Sequence, residues 1–399
     1  MRNITMVAIL VACGQPEPQL PQPTYVRSPA LAAMQDSKFD VALREANVTL
    51  ARDPRDSQAA GVRAIARYQQ AGSQLFSELG AVVDAGERLD ALDHERGRAA
   101  WLAFLGALEA IDRDLEVAAA DPSFALELCV ACLESDWNRN GRIDDRDRKL
   151  FELELDGNGG ELAENDPRRR PTYRFDQGDA LWARAMVQFQ RAGVEVVLAY
   201  RWSELDKLFR DTNSDRINIA IKLVDPGRVK RARELVLAGL SYAEQTRDAY
   251  LKETDDDREW LPNPKQKNYA MPLPVDAALF ATWATVLGDI RRLLESKEGI
   301  SLREVALATF GTPGASDVPN AYVDLGRLLR EPTDIVFDLD DKLPRPQMYE
   351  RLLRGLLGRG YAESMRASPL VGRLRHMASE VARGTDTVER KLRYLLWLN

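Results

Sequence analysis

Only two histidines and three cysteines occur among the 399 residues. That scarcity removes the common zinc enzymes and zinc fingers, which need several nitrogen or sulfur ligands at close spacing. No apolar run reaches the roughly 18–20 residues that cross a bilayer, which excludes a multi-span membrane protein. Period-two patterning is sparse, and Ile335-Val336-Phe337-Asp338-Leu339 is the best strand candidate. Basic residues are outnumbered, 55 against 62, for a net charge of −7 and a pI near 5.3, which argues against a nucleic-acid partner. Neither His94 nor His376 has a Ser or Cys elbow to serve, and both read as surface residues. Gly311-Thr312-Pro313-Gly314-Ala315-Ser316 lacks the Lys-Ser/Thr ending of a phosphate loop. The sequence is nonetheless 45% hydrophobic, enough for one large core or two to three domains, so general disorder is excluded.

Helical periodicity fills most of the chain. Phe39, Ala42, Leu43, Ala46 and Leu50 share one face of a helix over 37–52, which Asp53-Pro54 ends. Ser57–Ala85 and Glu95–Ala120 continue as helices, the second with the stripe Trp101, Phe104, Leu105, Leu108, Ile111. Trp182, Met186, Phe189, Gly193, Val196 and Tyr200 advance by three or four along 179–202, with Asp179 as the N-cap. Lys230–Tyr250, Asp276–Leu294, Gln347–Leu357 and Val388–Leu398 complete the helical set. The fold class expected is mainly α, an irregular multi-helix array with long loops. Loops as long as 156–178 and 253–275 are usually functional or metal-stapled. Phe39, Ala42, Ala46 and Pro54 are similar to the second helix and exit turn of a tetratricopeptide repeat, in one copy, which implies a local helical hairpin.

The N-terminus has one positive charge at Arg2, a short apolar stretch Ile4–Ala12 and then Cys13-Gly14, the layout of a secretory signal. Leu10-Val11-Ala12-Cys13 resembles the bacterial lipobox, which implies lipidation of Cys13. Gly14 follows in place of the Asp that retains some such proteins at the inner membrane. The expected location is therefore the cell envelope, lipid-anchored, at the outer membrane facing the periplasm. Residues 15–23 carry four prolines and read as an extended tether. The other cysteines form Cys129-Val130-Ala131-Cys132 inside an apolar stretch taken as helical. Two small buried thiols are expected there, with a structural disulfide or redox pair as the alternative.

One segment has specific chemistry. Asp136-Trp137-Asn138-Arg139-Asn140-Gly141-Arg142-Ile143-Asp144-Asp145-Arg146-Asp147 places oxygen side chains at positions one, three and five, Gly at six and acids at nine and twelve. A hard divalent cation wants six to eight oxygens, which alternate residues of a tight loop can direct inward together. The twelve residues resemble the EF-hand calcium loop, and Asp147 with Asn138 make it look more like a bacterial dockerin. The resemblance implies one calcium held by Asp136, Asn138, Asn140, the Arg142 carbonyl, Asp144 and Asp147. It implies an entering helix over Ala125–Leu133 and an exiting one over Asp145–Leu155. No methionine-rich groove flanks the loop, so a structural role is expected rather than a sensor's opening. Asp156 and Asn158 begin a weaker loop, read as a degenerate second metal loop or a plain glycine-rich turn. Asp255–Glu259, beside Trp260 and two prolines, reads as a solvated loop, with a cation or a partner peptide as alternatives. Arg168-Arg169-Arg170 is taken to neutralise the acidic segment next to it.

The organisation expected is a signal over 1–12, a tether over 13–30, a tetratricopeptide-like region over 31–120, a calcium-binding segment over 121–178 and a helical region over 179–399. Two functions follow from different classes. One is a non-enzymatic envelope lipoprotein, a calcium-stapled helical scaffold that binds a protein of the cell envelope. The other is an envelope hydrolase whose carboxylates converge only in the fold. A concave pocket holding two carboxylates of raised pKa would favour the hydrolase.

Overall fold

In a computed structural model the chain is described over residues 28–85, 92–136, 142–156, 160–206, 216–256, 258–270 and 276–382. It is mainly α, with a few short strands. Ser28 caps α1 (Pro29–Gln35), whose Ala30, Leu31 and Met34 are buried against α2 (Phe39–Arg52). The expected stripe of α2 is the buried one: Ala42, Ala46 and Leu50 face the core. Two long helices follow, α3 (Ser57–Ala85) and α4 (His94–Ala120).

The four longest helices and a fifth form an up-and-down bundle, and polar contacts fix the pairing. Ser57 meets Asp121, and Arg63 meets Asp114, so α3 and α4 run antiparallel. The next helix, α6 (Gln177–Ala199), lies antiparallel to α4 through Gln177 with Ala119 and Arg184 with Asp112. Against it runs α7 (Pro226–Lys252), tied by Tyr250 to Asp179 at one end and Arg228 to Glu195 at the other. Then α8 (Ala277–Leu294) returns along α7, with Arg291 on Glu244. Between α3, α4 and α6 lie Leu108, Ile111, Val187 and Leu198; between α6, α7 and α8 lie Ala185, Leu240 and Leu287.

The segment between α4 and α6 departs from the helices expected there. Instead of an entering helix over 125–133, Leu126–Leu128 forms β1 and Val130–Cys132 a single 3₁₀ turn. β1 pairs antiparallel with β2 (Tyr173–Phe175), so Leu126 and Leu128 are buried by alternation rather than by helical spacing. Cys129 and Cys132 form a disulfide, not the two free thiols expected, and this closes the turn. The exiting helix, α5, spans only Asp145–Lys149. Leu153 and Leu155 beyond it are extended and buried with Leu162, Tyr173 and Trp260.

The C-terminal third wraps one end of the bundle. β3 (Tyr200–Arg201) and β4 (Arg216–Leu223) join β7 (Ile335–Asp340) in an antiparallel sheet of order β3-β4-β7, and β7 is the strand expected at 335–339. A second sheet, β5 (Ile300–Ser301), β6 (Tyr322–Val323) and β8 (Tyr361–Ala362), lies nearby, with α9 (Leu302–Ala315) and α10 (Leu325–Arg330) in its connections. The helix α11 (Arg345–Leu357) packs on β7, and Gly358, at φ +48°, ends it in a conformation that favours glycine. Pro29, Pro226 and Pro344 each stand at or beside a helix start. The last described helix is α12 (Leu370–Ala382); the helix expected over 388–398 lies outside the described residues. No helix among the described residues is long and apolar enough to cross a membrane.

Candidate functional site

Antiparallel packing brings the first turn of α6 against the last turn of α7, and the acids of both turns meet there. Asp176 is the N-cap of α6: its Oδ1 accepts from Gly178 N at 2.7 Å, and Asp179 Oδ2 accepts from Asp176 N at 2.9 Å. The expected cap residue, Asp179, is thus the third helical residue of a capping box, because Asp176 already satisfies the free N–H groups. Asp179 Oδ1 accepts from the Tyr250 hydroxyl at 2.6 Å. Gly178 permits that contact, since a Cβ there would lie 2.6 Å from the Tyr250 ring.

Glu253 is the C-cap of α7, and its backbone N–H donates to the Ala249 and Tyr250 carbonyls. Its carboxylate sits at the negative end of the helix dipole, where an anion is disfavoured. Gln266 Nε2 donates to Glu253 Oε2 at 3.4 Å, and Asn263 Nδ2 donates to the Tyr250 and Glu253 carbonyls. Both amides are buried, so this turn fixes the end of α7. Glu259 arrives from the same loop: it bridges to Arg174 of β2 and to Tyr269, and Trp260 beside it packs on Tyr173 and Phe175.

One ligand oxygen each from Asp176, Glu253 and Glu259 lies within 4.8 Å of the others. Burial pushes Glu253 up from its usual 4.5 to about 10, with the Asp176 charge and hydrogen bond next in effect, then Asp179 and Glu259. Burial and then the Asp176 charge also hold Asp179 well above the usual carboxylate range. Every charge that acts strongly on these two acids is another carboxylate. Three carboxylates offer up to six oxygens, the donor type and number calcium takes, whereas nitrogen and sulfur ligands are missing from the group.

An apolar cavity of about 380 Å³ adjoins this cluster. Its walls come from α3, α4, α6 and the β1–β2 pair, and Asp179 and Trp260 line it where it meets the acids.

Some of the residues expected to hold calcium are described. Cys13, Asn138, Asn140 and Asn158 lie outside the described residues. Asp144 is the N-cap of α5 and accepts from Arg146 N at 2.9 Å; Asp147, 2% exposed, accepts from Asp144 N at 2.9 Å. Positions nine and twelve of the loop therefore share a capping box at the start of the exiting helix. Asp136 does not join these two in a three-acid group, and the exposed Arg142 reaches Asp144 at 3.8 Å. Asp156 Oδ1 accepts from Gly160 N at 2.8 Å. Of the three arginines expected to neutralise this segment, Arg169 and Arg170 meet the buried Glu152 at 2.9 and 2.7 Å, and Arg168 meets Asp166. His94 is three-quarters buried and bonds Asp206 at 2.7 Å, in contrast to the surface position expected.

The three clustered acids are separated by up to 83 residues, which no local spacing reveals. The length of the loops 156–178 and 253–275 is a signal the sequence analysis noted; the capping-box spacing Asp176-x-x-Asp179 is one that it missed in favour of Asp179 as the cap. Comparison with protein-family models, curated proteins and solved structures finds no match to this chain. The class that fold and site define is a mainly α multi-helix protein with an acidic cluster at one end of its bundle.

Proposed function

We propose that this protein is a calcium-binding, lipid-anchored helical scaffold of the cell envelope that binds another envelope component, with the calcium structural. The observation that carries the reading is the Asp176, Glu253 and Glu259 cluster. Burial and neighbouring carboxylates hold Asp179 and Glu253 well above the usual carboxylate range, and a bound cation would favour their charged forms. A calcium ion there would supply two positive charges and join the start of α6, the end of α7 and the 253–270 loop. The twelve-residue loop Asp136–Asp147 is the second calcium site of this reading; its last acid, Asp147, accepts from Asp144 N. The anchor is Cys13, at the outer membrane facing the periplasm.

The scaffold is preferred to the hydrolase because the cavity is walled mainly by apolar side chains, with Asp179 as its acid. Glu253, the other acid of strongly raised pKa, does not line it.

Calcium titration of the full chain by calorimetry tests the reading. Binding at submillimolar to millimolar calcium is expected, abolished or weakened at least about tenfold by Glu253→Gln with Glu259→Gln. Asp136→Ala with Asp147→Ala removes a second binding event if the loop also holds an ion. No heat at millimolar calcium in the wild type would sink the calcium claim. Fractionation of cells carrying Cys13→Ser tests the anchor: the variant should leave the membrane fraction or stay unprocessed.

A further inference from the structure

At the end of the bundle opposite the acidic cluster, α3 finishes, α4 begins and α6 runs into β3. These ends enclose a second cavity, of about 700 Å³, within the size range of small-molecule sites. Leu79, Val82, Trp101, Leu198, Trp202 and Leu205 supply much of its wall. The Trp202 ring is held in place: its Nε1 donates to the Val197 carbonyl at 2.7 Å, and it lies 6.1 Å from the Tyr200 ring.

The charges at this wall are arranged unlike those along the bundle. There Arg63, Arg184 and Arg228 each reach a carboxylate. Arg98 lines the cavity, partly buried, and its Nη1 donates to the Leu198 carbonyl at 2.8 Å. No carboxylate among the described residues pairs with it, and none pairs with Arg201, which lines the same cavity from β3. Glu95 also lines the cavity, but it is exposed and makes no ion pair with Arg98 one turn further along α4. Asp206 is 5% exposed, does not line the cavity and already holds His94 Nε2 at 2.7 Å. Two guanidinium groups and one exposed carboxylate therefore line a mainly apolar space. A half-buried guanidinium bonded to a single carbonyl keeps further donors, in a planar fork that matches a carboxylate.

We propose that this cavity binds one amphipathic carboxylate, its hydrocarbon or ring body along the aliphatic and indole wall and its carboxylate on Arg98, with Arg201 as a second positive charge. Charge complementarity selects this occupant. A carboxylate gains charge-assisted hydrogen bonds from Arg98, whereas an amine of the same length is repelled by both arginines. An alcohol fills the apolar space equally well but brings no charge to the guanidinium. The cavity shares no residue with the acidic cluster or with the Asp136–Asp147 loop, so the inference does not rest on calcium binding.

The test uses the full chain in chelator, so that calcium does not precipitate the acid. Decanoate, decanol and decylamine are each titrated below the solubility or micelle limit, with binding read by calorimetry and tryptophan fluorescence. Decanoate should bind at least about tenfold more tightly than decylamine, and more tightly than decanol. Arg98→Met, which keeps the aliphatic stem, should remove the preference for acid over alcohol and leave decanol binding in place. Gly97→Phe should abolish decanoate binding with the helical circular-dichroism spectrum retained. Gly97 lines the cavity, and a Cβ there meets only Val82 Cγ2, at 3.9 Å, so the backbone accepts the ring. Absence of decanoate binding, decylamine binding as tightly as decanoate, an unchanged acid preference in folded Arg98→Met, or unchanged binding in folded Gly97→Phe would each overturn the proposal. Should a variant fail to fold, the wild-type ranking of acid against amine decides alone. Decanoate binding as predicted, in a chain that binds no calcium, would overturn the function proposed above and leave this inference standing.

Discussion

Near the C-terminal end of α4, Asp114 is 1% exposed and receives Arg63 at 2.6 Å and Arg67 at 2.7 Å from α3. At the end of the same bundle, Asp176, Asp179, Glu253 and Glu259 face one another. The first arrangement recurs: Glu195 has Arg228 and Arg231, and Asp289 has Arg292 and Arg373. In these places a buried negative charge is neutralised by guanidinium groups, all but Arg292 on neighbouring helices, which also fixes helix register. At the bundle's end the helices supply caps instead, and caps are acids. On Asp179 and Glu253 the strongest charges come from other carboxylates, an arrangement that an external cation would relieve.

Breaking the paired region should have the largest effect. Asp114→Ala strands two arginines in a mostly buried position and should cost about 3 kcal/mol, the low end of the range because both arginines still reach water. Urea unfolding measures it, and a loss below ~1 kcal/mol would show that the pairing is incidental.

Filling the acidic cluster comes next. Calcium at 100 times its dissociation constant should add about 2.7 kcal/mol and raise the melting temperature, and Glu253→Gln with Glu259→Gln should lose the part of that rise that belongs to the cluster. Equal wild-type curves in both buffers would contradict the assignment.

Opening the disulfide is third. Cys129→Ala with Cys132→Ala releases a very short loop and should cost about 2 kcal/mol by loop entropy. The lesion lies beside Val130 and Leu133, which line the apolar cavity.

The pH response sharpens the comparison further. Without calcium, folded Glu253 keeps its proton up to about pH 10, whereas the unfolded chain releases it near the usual 4.5. Across that window the unfolded state binds fewer protons, so stability falls as pH rises. The full contribution is present below the unfolded value and is lost on passing about pH 10. Chelated protein should melt progressively lower from pH 5 to pH 9, and calcium should flatten the slope. Calorimetry in buffers of different ionisation enthalpy should detect protons released on binding calcium.

The smallest effect belongs to the surface. Glu350 meets Arg354 at 2.8 Å with both side chains nearly half exposed, and Glu350→Ala should change stability by no more than about 0.5 kcal/mol.

The bundle was legible in the sequence because its stripes are long. Leu105, Leu108 and Ile111 of α4 and Ala42 and Ala46 of α2 are buried as their spacing requires. The segment 121–178 was not. Ala125–Leu133 has apolar residues compatible with either period over so short a run, and strand pairing with Tyr173–Phe175 decided it. The twelve-residue motif was recognised through local spacing, and its Asp144–Asp147 capping box is local too. The Asp176, Glu253 and Glu259 cluster depends on where α6 starts relative to where α7 ends, a relation no linear pattern encodes.

By itself the sequence determined helix content, the faces those helices bury, the strand candidate at 335–339 and the strong bias to oxygen donors. Each of these follows from side-chain periodicity or composition, which act over a turn or two of chain. Only the tertiary structure decided that two caps and a loop glutamate converge, that Cys129 bonds to Cys132, and that a cavity opens behind Asp179. The physical reason is range: helix formation is set by neighbours three and four residues away, whereas charge clustering and cavities are set by which helix ends the packed core brings together.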